Sequence, residues 1–279
     1  MMLAAFACAA AILLAIFFVF QRRAHLRRKA FFDAPFPKKW ASVLRRDVPV
    51  YAFLPRDLRE NFHRRIKEFL SEKFFEPCGG LHKVSEETAL VIAAGASLLV
   101  MNRGGRAWRT LHSVLVYPSA FAAPEGVEDA NGGDDGGSGI SVVVPERGER
   151  DGESWAHGSV VFSHERIMRD IAFHGNGQNV ILHEFAHQLD AFDNGLPRFP
   201  DPADTRAWQR VAAAEIARLR SRDPSTVLDE YGDENPAEFF AVSVEAFFEK
   251  SSAMKRAHPE LYALLTRFFA LDPASWGYS

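Results

Sequence analysis

The sequence predicts a domain of the α+β class that follows a single transmembrane helix. Apolar residues recur at helical spacing in two stretches, and three short runs rich in β-branched residues are typical of strands. The first twenty residues carry no charge. A chain of 279 residues with 47% hydrophobic content is long enough to bury a full core. We therefore expect one globular domain behind an apolar N-terminal segment.

The N-terminal segment has the features of a membrane anchor. Residues 1–20 form an apolar run just long enough to cross a bilayer, and five Arg and Lys residues follow within 21–29. Because the positive charge follows the apolar run, the positive-inside rule predicts a single-pass protein of the cell inner membrane with its body in the cytoplasm. The alternative is a cleaved signal sequence with Ala9 and Ala10 as its small residues.

This pattern divides the chain into three segments. Residues 1–21 are the predicted transmembrane anchor, 22–39 a basic juxtamembrane linker, and 40–279 the globular domain. Within that domain, the Gly- and Asp-rich stretch 123–139 lacks the spacing of a calcium-binding loop. We predict a flexible surface loop there.

The helices and strands of the domain follow from spacing and capping. The first helix is predicted over 57–75, and Ser85 is a predicted N-cap for the second, which has Glu86 and Glu87 in its first turn. The apolar positions of the first helix are Leu58, Phe62, Ile66, Phe69 and Phe74. Strands are predicted over 114–117, 141–144 and 159–162.

Composition excludes several classes of function. The net charge of −3, with no strongly basic region beyond the first fifty residues, argues against a general nucleic-acid binder. Only two cysteines are present, and Cys8 lies in the apolar N-terminus while Cys78 lies in the body. Neither belongs to a C-x-x-C pair, so thiolate metal binding and redox chemistry are not expected.

The stretch 180–190 carries the strongest functional signal. It contains H-E-x-x-H in an apolar context that predicts a buried helix. On a helix, residues four apart share one face, so the imidazoles of His183 and His187 can bind one metal ion. Two neutral imidazoles suit Zn²⁺, which needs one more protein ligand and an open position. Glu184 is then placed to take a proton from the attacking water, as in a zinc peptidase.

Spacing alone leaves the third ligand open. Asp193 lies six residues beyond His187, but sites that use this position place a Gly three residues after the second His, where the chain turns. Here Asp190 occupies that position, so we expect the helix to continue and Asp193 to be a poor candidate. Glu238 follows Asn235 and Pro236, a predicted helix start, and could instead be the N3 partner of a capping box. Glu245, seven residues later, is a further candidate on the same face.

The chain resembles the zinc-dependent peptidases of the Mlc titration factor A family from about Trp40 to the C-terminus, apart from the Gly- and Asp-rich loop. The motif around the two histidines is joined by several others, and the combination is far more specific than H-E-x-x-H alone. The matching pieces are Gly80-Leu81, Ser97-Leu98-Leu99-Val100, Leu115-Val116-Tyr117-Pro118, Gly152-Glu153-Ser154-Trp155, Gly177-Gln178-Asn179-Val180, His183-Glu184-Phe185-Ala186-His187-Gln188-Leu189-Asp190, and Tyr231 with Asn235-Pro236-Ala237-Glu238-Phe239-Phe240-Ala241-Val242.

The resemblance implies a site and a fold. It implies that His183, His187 and Glu238 bind Zn²⁺, that Glu184 is the general base, and that Tyr231 stabilises the transition state. The implied fold is α+β and zincin-like, similar to the catalytic core of anthrax lethal factor. From the sequence, Asp190 is a candidate to orient one of the ligating imidazoles. The strand at 159–162 is a candidate to pair with an extended peptide substrate.

Two functions remain open at this point. Members of the family are aminopeptidase-like, which predicts that this chain hydrolyses a peptide or protein substrate. The founding member also binds a transcriptional repressor of sugar uptake, but it lacks the apolar N-terminus and so long an acidic loop. The identity of any protein regulator of this chain is therefore open. The alternative is a module that sequesters such a regulator, with zinc mainly structural, although a structural site requires neither Glu184 nor Tyr231.

Overall fold

The computed structural model describes residues 2–103, 108–119, 158–189, 192–193, 196–197 and 199–278. The chain divides into two compact units, Met1–Lys39 and Trp40–Ser279. Three features predicted from the sequence lie outside the described residues: the surface loop at 123–139, the strand at 141–144, and Asp190. The functional roles assigned to the three segments of the chain stay predictions.

The N-terminal unit is built on one long helix, α1 (Met2–Asp33), which continues without a break through the basic cluster at 22–29. Leu14 and residues 16–20 expose about half or more of their apolar side chains. None of the helices in the described part of the chain has the length and apolar content that a membrane span needs. The transmembrane helix predicted for residues 1–21 therefore has no support from the structure.

The larger unit is helix-rich and contains a small parallel sheet, which agrees with the predicted α+β class. The predicted likeness to the catalytic core of anthrax lethal factor stays a prediction. The α-helices that follow α1 in the described part of the chain are α2 (Lys38–Asp47), α3 (Val50–Phe53), α4 (Arg56–Glu72), α5 (Glu86–Val100), α6 (His164–Ala172), α7 (Val180–His187), α8 (Pro202–Arg220), α9 (Pro236–Glu249), α10 (Ser251–Ala257) and α11 (Pro259–Phe269).

The sheet has the order β1–β2–β3, with β1 at Phe74–Pro77, β2 at Ser113–Tyr117 and β3 at Ser159–Ser163. Both pairings are parallel. The strands predicted over 114–117 and 159–162 are thus confirmed, each slightly longer than predicted. Among the described strands β3 pairs only with β2, so it lies at one end of the sheet.

The first predicted helix ends earlier than expected. α4 stops at Glu72, and Phe74 begins β1 with 71% of its surface exposed. The backbone N–H of Phe74 donates to the carbonyl of His112 at 3.0 Å, which aligns this segment with β2. Pairing with the sheet overrides the helical spacing of the apolar residues. The prediction for α5 is confirmed, because the Ser85 side chain accepts a hydrogen bond from the Thr88 N–H at 3.0 Å.

The core holds α7 between α5 and α9. Phe185, which lies between the two histidines of the motif in sequence, packs on Trp108, Phe69 and Phe162 with ring centroids 5.1, 5.5 and 5.7 Å away. On the other side of α7, every residue of α9 from 239 to 249 is buried. A helix that is buried all round belongs in a core. The short metal-motif helix is therefore fixed by packing on both sides.

Gly95 allows α5 to approach α7 closely. A β-carbon at this position would collide with the side chain of Ile181. Gly95→Ala should therefore destabilise the protein, by about 1–3 kcal/mol for overpacking, even though Ala is the better helix former. Thermal unfolding of Gly95→Ala, Ile181→Ala and the double variant measures this. The double variant should lose less stability than the sum of the two; full additivity would contradict the predicted collision.

Candidate metal centre

Helix α7 presents both histidines of the motif to one side. Its N-cap is Asn179, whose side chain accepts a hydrogen bond from the N–H of Leu182 at 3.1 Å. The rings of His183 and His187 lie with centroids 4.9 Å apart, and their Nε2 atoms are 3.2 Å apart. The predicted convergence of two residues four apart on a helix is thus present in the structure.

Helix α9 brings a carboxylate to the same point. Asn235 caps this helix and accepts hydrogen bonds from the N–H groups of Ala237 and Glu238 at 2.9 and 3.0 Å. The carboxylate of Glu238 faces the histidines, with Oε2 3.0 Å from His183 Nε2 and Oε1 3.4 Å from His187 Nε2. Of the three candidates considered for the third ligand, the structure brings Glu238 to the two histidines.

The three side chains fit a metal ion. Their donor atoms all lie within 4.8 Å of one another. In a tetrahedral zinc site with bonds of about 2.0–2.2 Å, ligand atoms are about 3.3–3.6 Å apart, and the 3.0–3.4 Å found here is within a few tenths of an ångström of that range. The Oε2 atom of Glu238 is buried and, although it lies 3.0 Å from His183 Nε2, it makes no hydrogen bond of good geometry among the described residues. A cation at this point would satisfy it, and two imidazoles with one carboxylate form a donor set that zinc accepts.

Glu245 contacts the other face of the His183 ring. Its Oε1 lies 2.7 Å from Nδ1 of His183, and its Oε2 accepts a hydrogen bond from the backbone N–H of Asn179. A carboxylate only accepts, so Nδ1 carries a proton and donates it to this bond. Burial opposes charge on His183, but Glu245 and Glu238 raise the pKa of this histidine well above its usual value. Glu245 thus orients the ring from outside the cluster.

The electrostatics of Glu238 differ from those of an ordinary buried acid. Burial alone would raise its pKa, yet the adjacent His183 and His187 lower the pKa to about 2. Its side chain is 17% exposed and those of the two histidines are 14–15% exposed. The carboxylate is therefore held ionised in a site that keeps a restricted opening to solvent.

Glu184 lies next to the cluster without joining it. It is 5% exposed, and its Oε2 is buried with no hydrogen-bond partner in the described part of the chain. Burial raises the pKa of Glu184, while His183 and His187 act in the opposite direction. A buried carboxylate with one oxygen left without a hydrogen bond, next to the cluster, is placed to bind a water molecule or a substrate proton.

Tyr231 approaches the cluster from a separate segment. It belongs to a 3-10 turn at Glu230–Asp233, and its ring centroid is 6.1 Å from that of His183. Burial, together with the negative charge of Glu238 and other nearby carboxylates, raises the pKa of Tyr231 to about 12. The phenol therefore keeps its proton and can donate a hydrogen bond.

The chain after α7 differs from the prediction. The helix was expected to continue past 190, but it ends at His187. The N–H groups of Gln188 and Leu189 bond to the carbonyls of Glu184 and Ala186 at 3.2 and 3.3 Å, so the chain leaves the helix through a tightened turn without Gly. Asp193 then lies in the two-residue strand β4 (Phe192–Asp193), paired with β5 (Leu196–Pro197).

Sequence reasoning missed the role that the structure gives to Glu245. It treated this residue only as a third-ligand candidate and named Asp190 as the residue that orients an imidazole. A signal was available, because Glu245 lies seven residues after Glu238 on a helix and so shares its face. One turn further on, Glu249 accepts hydrogen bonds from Asn179 Nδ2 and from the Gly175 N–H at 2.9 and 2.6 Å.

Comparison with known proteins agrees with this geometry. The family model described as glucose-regulated metallo-peptidase M90 matches residues 22–270. The chain belongs to the M90 metallopeptidase family. This confirms the resemblance to Mlc titration factor A proteins, and membership implies a metal-dependent peptidase or hydrolase class.

Individual relatives are similar over most of their length. An uncharacterized protein of Synechocystis sp. is 36% identical over 259 residues, covering 88% of this chain and 89% of the relative. Mlc titration factor A of Pectobacterium atrosepticum is 27% identical, with 84% and 86% of the two chains covered. Mlc titration factor A of Yersinia pestis is also 27% identical, with 84% and 85% covered.

Proposed function

We propose that this protein is a zinc-dependent peptidase that hydrolyses peptide bonds with a water molecule activated at the cluster. The observation that carries the proposal is the convergence of His183, His187 and Glu238 beside the buried carboxylate of Glu184, whose Oε2 has no hydrogen-bond partner among the described residues. A site that only stabilised the fold would need the three ligands but not that carboxylate.

Each residue at the site has a distinct part in this proposal. His183, His187 and Glu238 would hold the zinc. When bound there, zinc supplies a Lewis acid that polarises the scissile carbonyl and lowers the pKa of water. Glu184 accepts a proton from the attacking water and delivers it to the leaving amine. Tyr231 donates a hydrogen bond to the oxygen on which negative charge develops.

The substrate is proposed to be an extended peptide that adds to the sheet edge. Strand β3 lies at one end of the described sheet, leads directly into α6, and contacts α7. Backbone pairing at 160–162 would give affinity that depends little on side chains. The aminopeptidase-like preference rests on the resemblance and is part of the same proposal.

A peptide-library digest with the purified protein tests the proposed function. Hydrolysis should occur, stop when a chelator removes the metal, and return when zinc is added back. The positions of the cuts separate aminopeptidase from endopeptidase action, because only the former removes residues one at a time from the N-terminus. Cleavage that persists after complete metal removal would contradict the proposal.

Tyr231→Phe isolates the hydrogen bond that the phenol donates. Because this bond strengthens as charge develops, kcat should fall by roughly a hundredfold to a thousandfold while KM changes little. Steady-state kinetics on one peptide substrate, with metal content measured in parallel, gives the answer. An unchanged kcat, or a rise in KM alone, would remove Tyr231 from the chemistry.

The second candidate function is binding of a protein regulator. The relatives from Pectobacterium atrosepticum and Yersinia pestis are named Mlc titration factor A, a name that points to Mlc as their partner. We propose that this chain could bind a regulator of that kind with or without hydrolysing peptides. Pull-down with Glu184→Gln as bait, together with a hydrolysis assay of the wild-type protein, separates the two functions. A module that only sequesters a regulator would retain its partner in the pull-down, and its wild-type form would hydrolyse no peptide.

We also propose that the N-terminal segment attaches the protein to the inner membrane with the catalytic domain in the cytoplasm. The proposal rests on the charge-free run 1–20 and on the basic cluster that follows it. The exposed apolar side chains at 16–20 are consistent with burial in lipid.

Removal of residues 1–30 should release an active protein from the membrane fraction, because the metal cluster lies wholly downstream. Alkaline phosphatase fused after Ser279 should be inactive and green fluorescent protein fused there should fluoresce, since the body faces the cytoplasm. Strong phosphatase activity would mean that the body is exported. An unchanged distribution of the shortened chain between membrane and soluble fractions would show that residues 1–30 are not the anchor.

A further inference from the structure

A side-chain link joins the start of the metal-motif helix to the turn that carries Tyr231. Gln178, which immediately precedes the N-cap of α7, donates from Nε2 to Oδ2 of Asp229 at 2.8 Å. The other oxygen of the same carboxylate, Oδ1, accepts the backbone N–H of Tyr231 at 3.0 Å. One carboxylate therefore contacts both the segment leading to His183 and the backbone of Tyr231.

This link matters because the two segments come from distant parts of the sequence. The turn at Glu230–Asp233 is short and precedes the cap of α9 by a single residue. Inside the turn, the backbone N–H of Gly232 donates to the carbonyl of Asp229 at 3.1 Å. The turn's own hydrogen bonds fix its shape, but they do not fix its distance from α7.

The Gln178 end of the link is itself held firmly. The N–H of Gln178 donates to Oδ1 of Asn176 at 2.8 Å, and the next two residues, Asn179 and Val180, donate their N–H groups to carboxylates. For Val180 the acceptor is Asp170 Oδ2 at 2.7 Å. Because the backbone at residues 178–180 is held by these hydrogen bonds, the side-chain amide of Gln178 starts from a rigid position and can place another segment.

We propose that Gln178 and Asp229 are positioning residues that hold the phenol of Tyr231 at the distance from α7 that transition-state stabilisation requires. The inference rests on the proposed function, because it assigns these residues a role through Tyr231. A hydrogen-bond donor acts on developing charge only within a narrow distance range, and a shift of about 1 Å can cost roughly a hundredfold in rate.

Gln178→Met in the full-length protein tests the proposal, because Met keeps the side-chain length and removes the amide. We expect kcat to fall between about tenfold and a hundredfold, with KM, zinc content and melting temperature near those of wild type. Glu230→Gln is the matched control on the same turn. It breaks only the solvent-exposed pair with Arg222 and should leave kcat unchanged.

The deciding readout is the same substitution in the Tyr231→Phe background. If Gln178 acts through the phenol, Gln178→Met should lower kcat there by less than about twofold. An equal fall in both backgrounds, a wild-type kcat in the single variant, or loss of zinc would overturn the positioning role. If Gln178→Met fails to fold, Asp229→Asn takes its place, since it is the same size and weakens the link from the other side.

Failure of this inference is distinguishable from failure of the proposed function. If the wild-type protein hydrolyses peptides in a zinc-dependent way and Gln178→Met is equally active, only the positioning role is lost. If the wild-type protein hydrolyses no peptide, or Glu184→Gln is as active as wild type, the proposed function itself fails and the positioning role fails with it.

Discussion

Glu184→Gln should reduce peptide hydrolysis by at least about a hundredfold while the protein keeps its zinc. General acid–base catalysis by one side chain contributes roughly 10²–10⁴ in rate, and the amide of Gln cannot accept the proton that the carboxylate takes. The substitution preserves size in a site where Glu184 is 5% exposed, so packing around α7 is retained. Steady-state kinetics and metal analysis on the same sample measure both properties.

The zinc content of Glu184→Gln shows whether Glu184 is a general base or a metal ligand. Zinc should stay near one per chain in Glu184→Gln, because in the structure this side chain is not part of the group formed by His183, His187 and Glu238. Loss of zinc would show that Glu184 is a ligand and not a base. Wild-type activity in the variant would contradict the proposed peptidase mechanism and favour the regulator-binding alternative.

Glu238→Ala should release the zinc and abolish activity together. It removes one of three protein ligands, and the two histidines that remain cannot complete a site of the kind that zinc enzymes use. Glu245→Ala is the matched control on the same helix. It removes the hydrogen bonds to His183 Nδ1 and to the Asn179 N–H but none of the three proposed ligands, so zinc affinity should fall about 10- to 100-fold, less than in Glu238→Ala.

The comparison that identifies the third ligand is between the zinc affinities of Glu238→Ala and Glu245→Ala. Competition with a chromophoric chelator measures the zinc dissociation constants of Glu238→Ala, Glu245→Ala and Asp193→Ala under one set of conditions. Asp193→Ala should bind zinc as wild type does, since the structure places Asp193 in β4, beyond the end of α7. Stronger zinc binding by Glu238→Ala than by Glu245→Ala would reverse the assignment.

Local signals predicted much of the fold. Ser85, Asn235 and Pro236 mark helix starts that the structure contains, because capping depends on a few neighbouring atoms. The strands around 114–117 and 159–162 were also found from composition. Their parallel pairing with each other, and that of Ser113–Tyr117 with Phe74–Pro77, was not predicted, because hydrogen bonds between segments this far apart leave no periodic trace in the sequence.

The same distinction holds at the candidate site. The pairing of His183 with His187 follows from helical periodicity, whereas the choice among Asp193, Glu238 and Glu245 required the resemblance. The contact of Glu245 with Nδ1 of His183 and the link from Gln178 to Asp229 depend on how α7, α9 and the Tyr231 turn pack. The prediction that α7 continues beyond His187 was wrong, because a turn without Gly leaves no signal in the sequence.

The most direct test of the account is a zinc titration of the metal-free protein, followed by its rate of peptide hydrolysis. We expect no activity without metal, a linear rise on addition of zinc, and saturation at about one zinc per chain, the single ion that three ligands and an open position accommodate. Full hydrolysis by protein shown to be metal-free, or stoichiometric zinc binding that restores no hydrolysis, would contradict it.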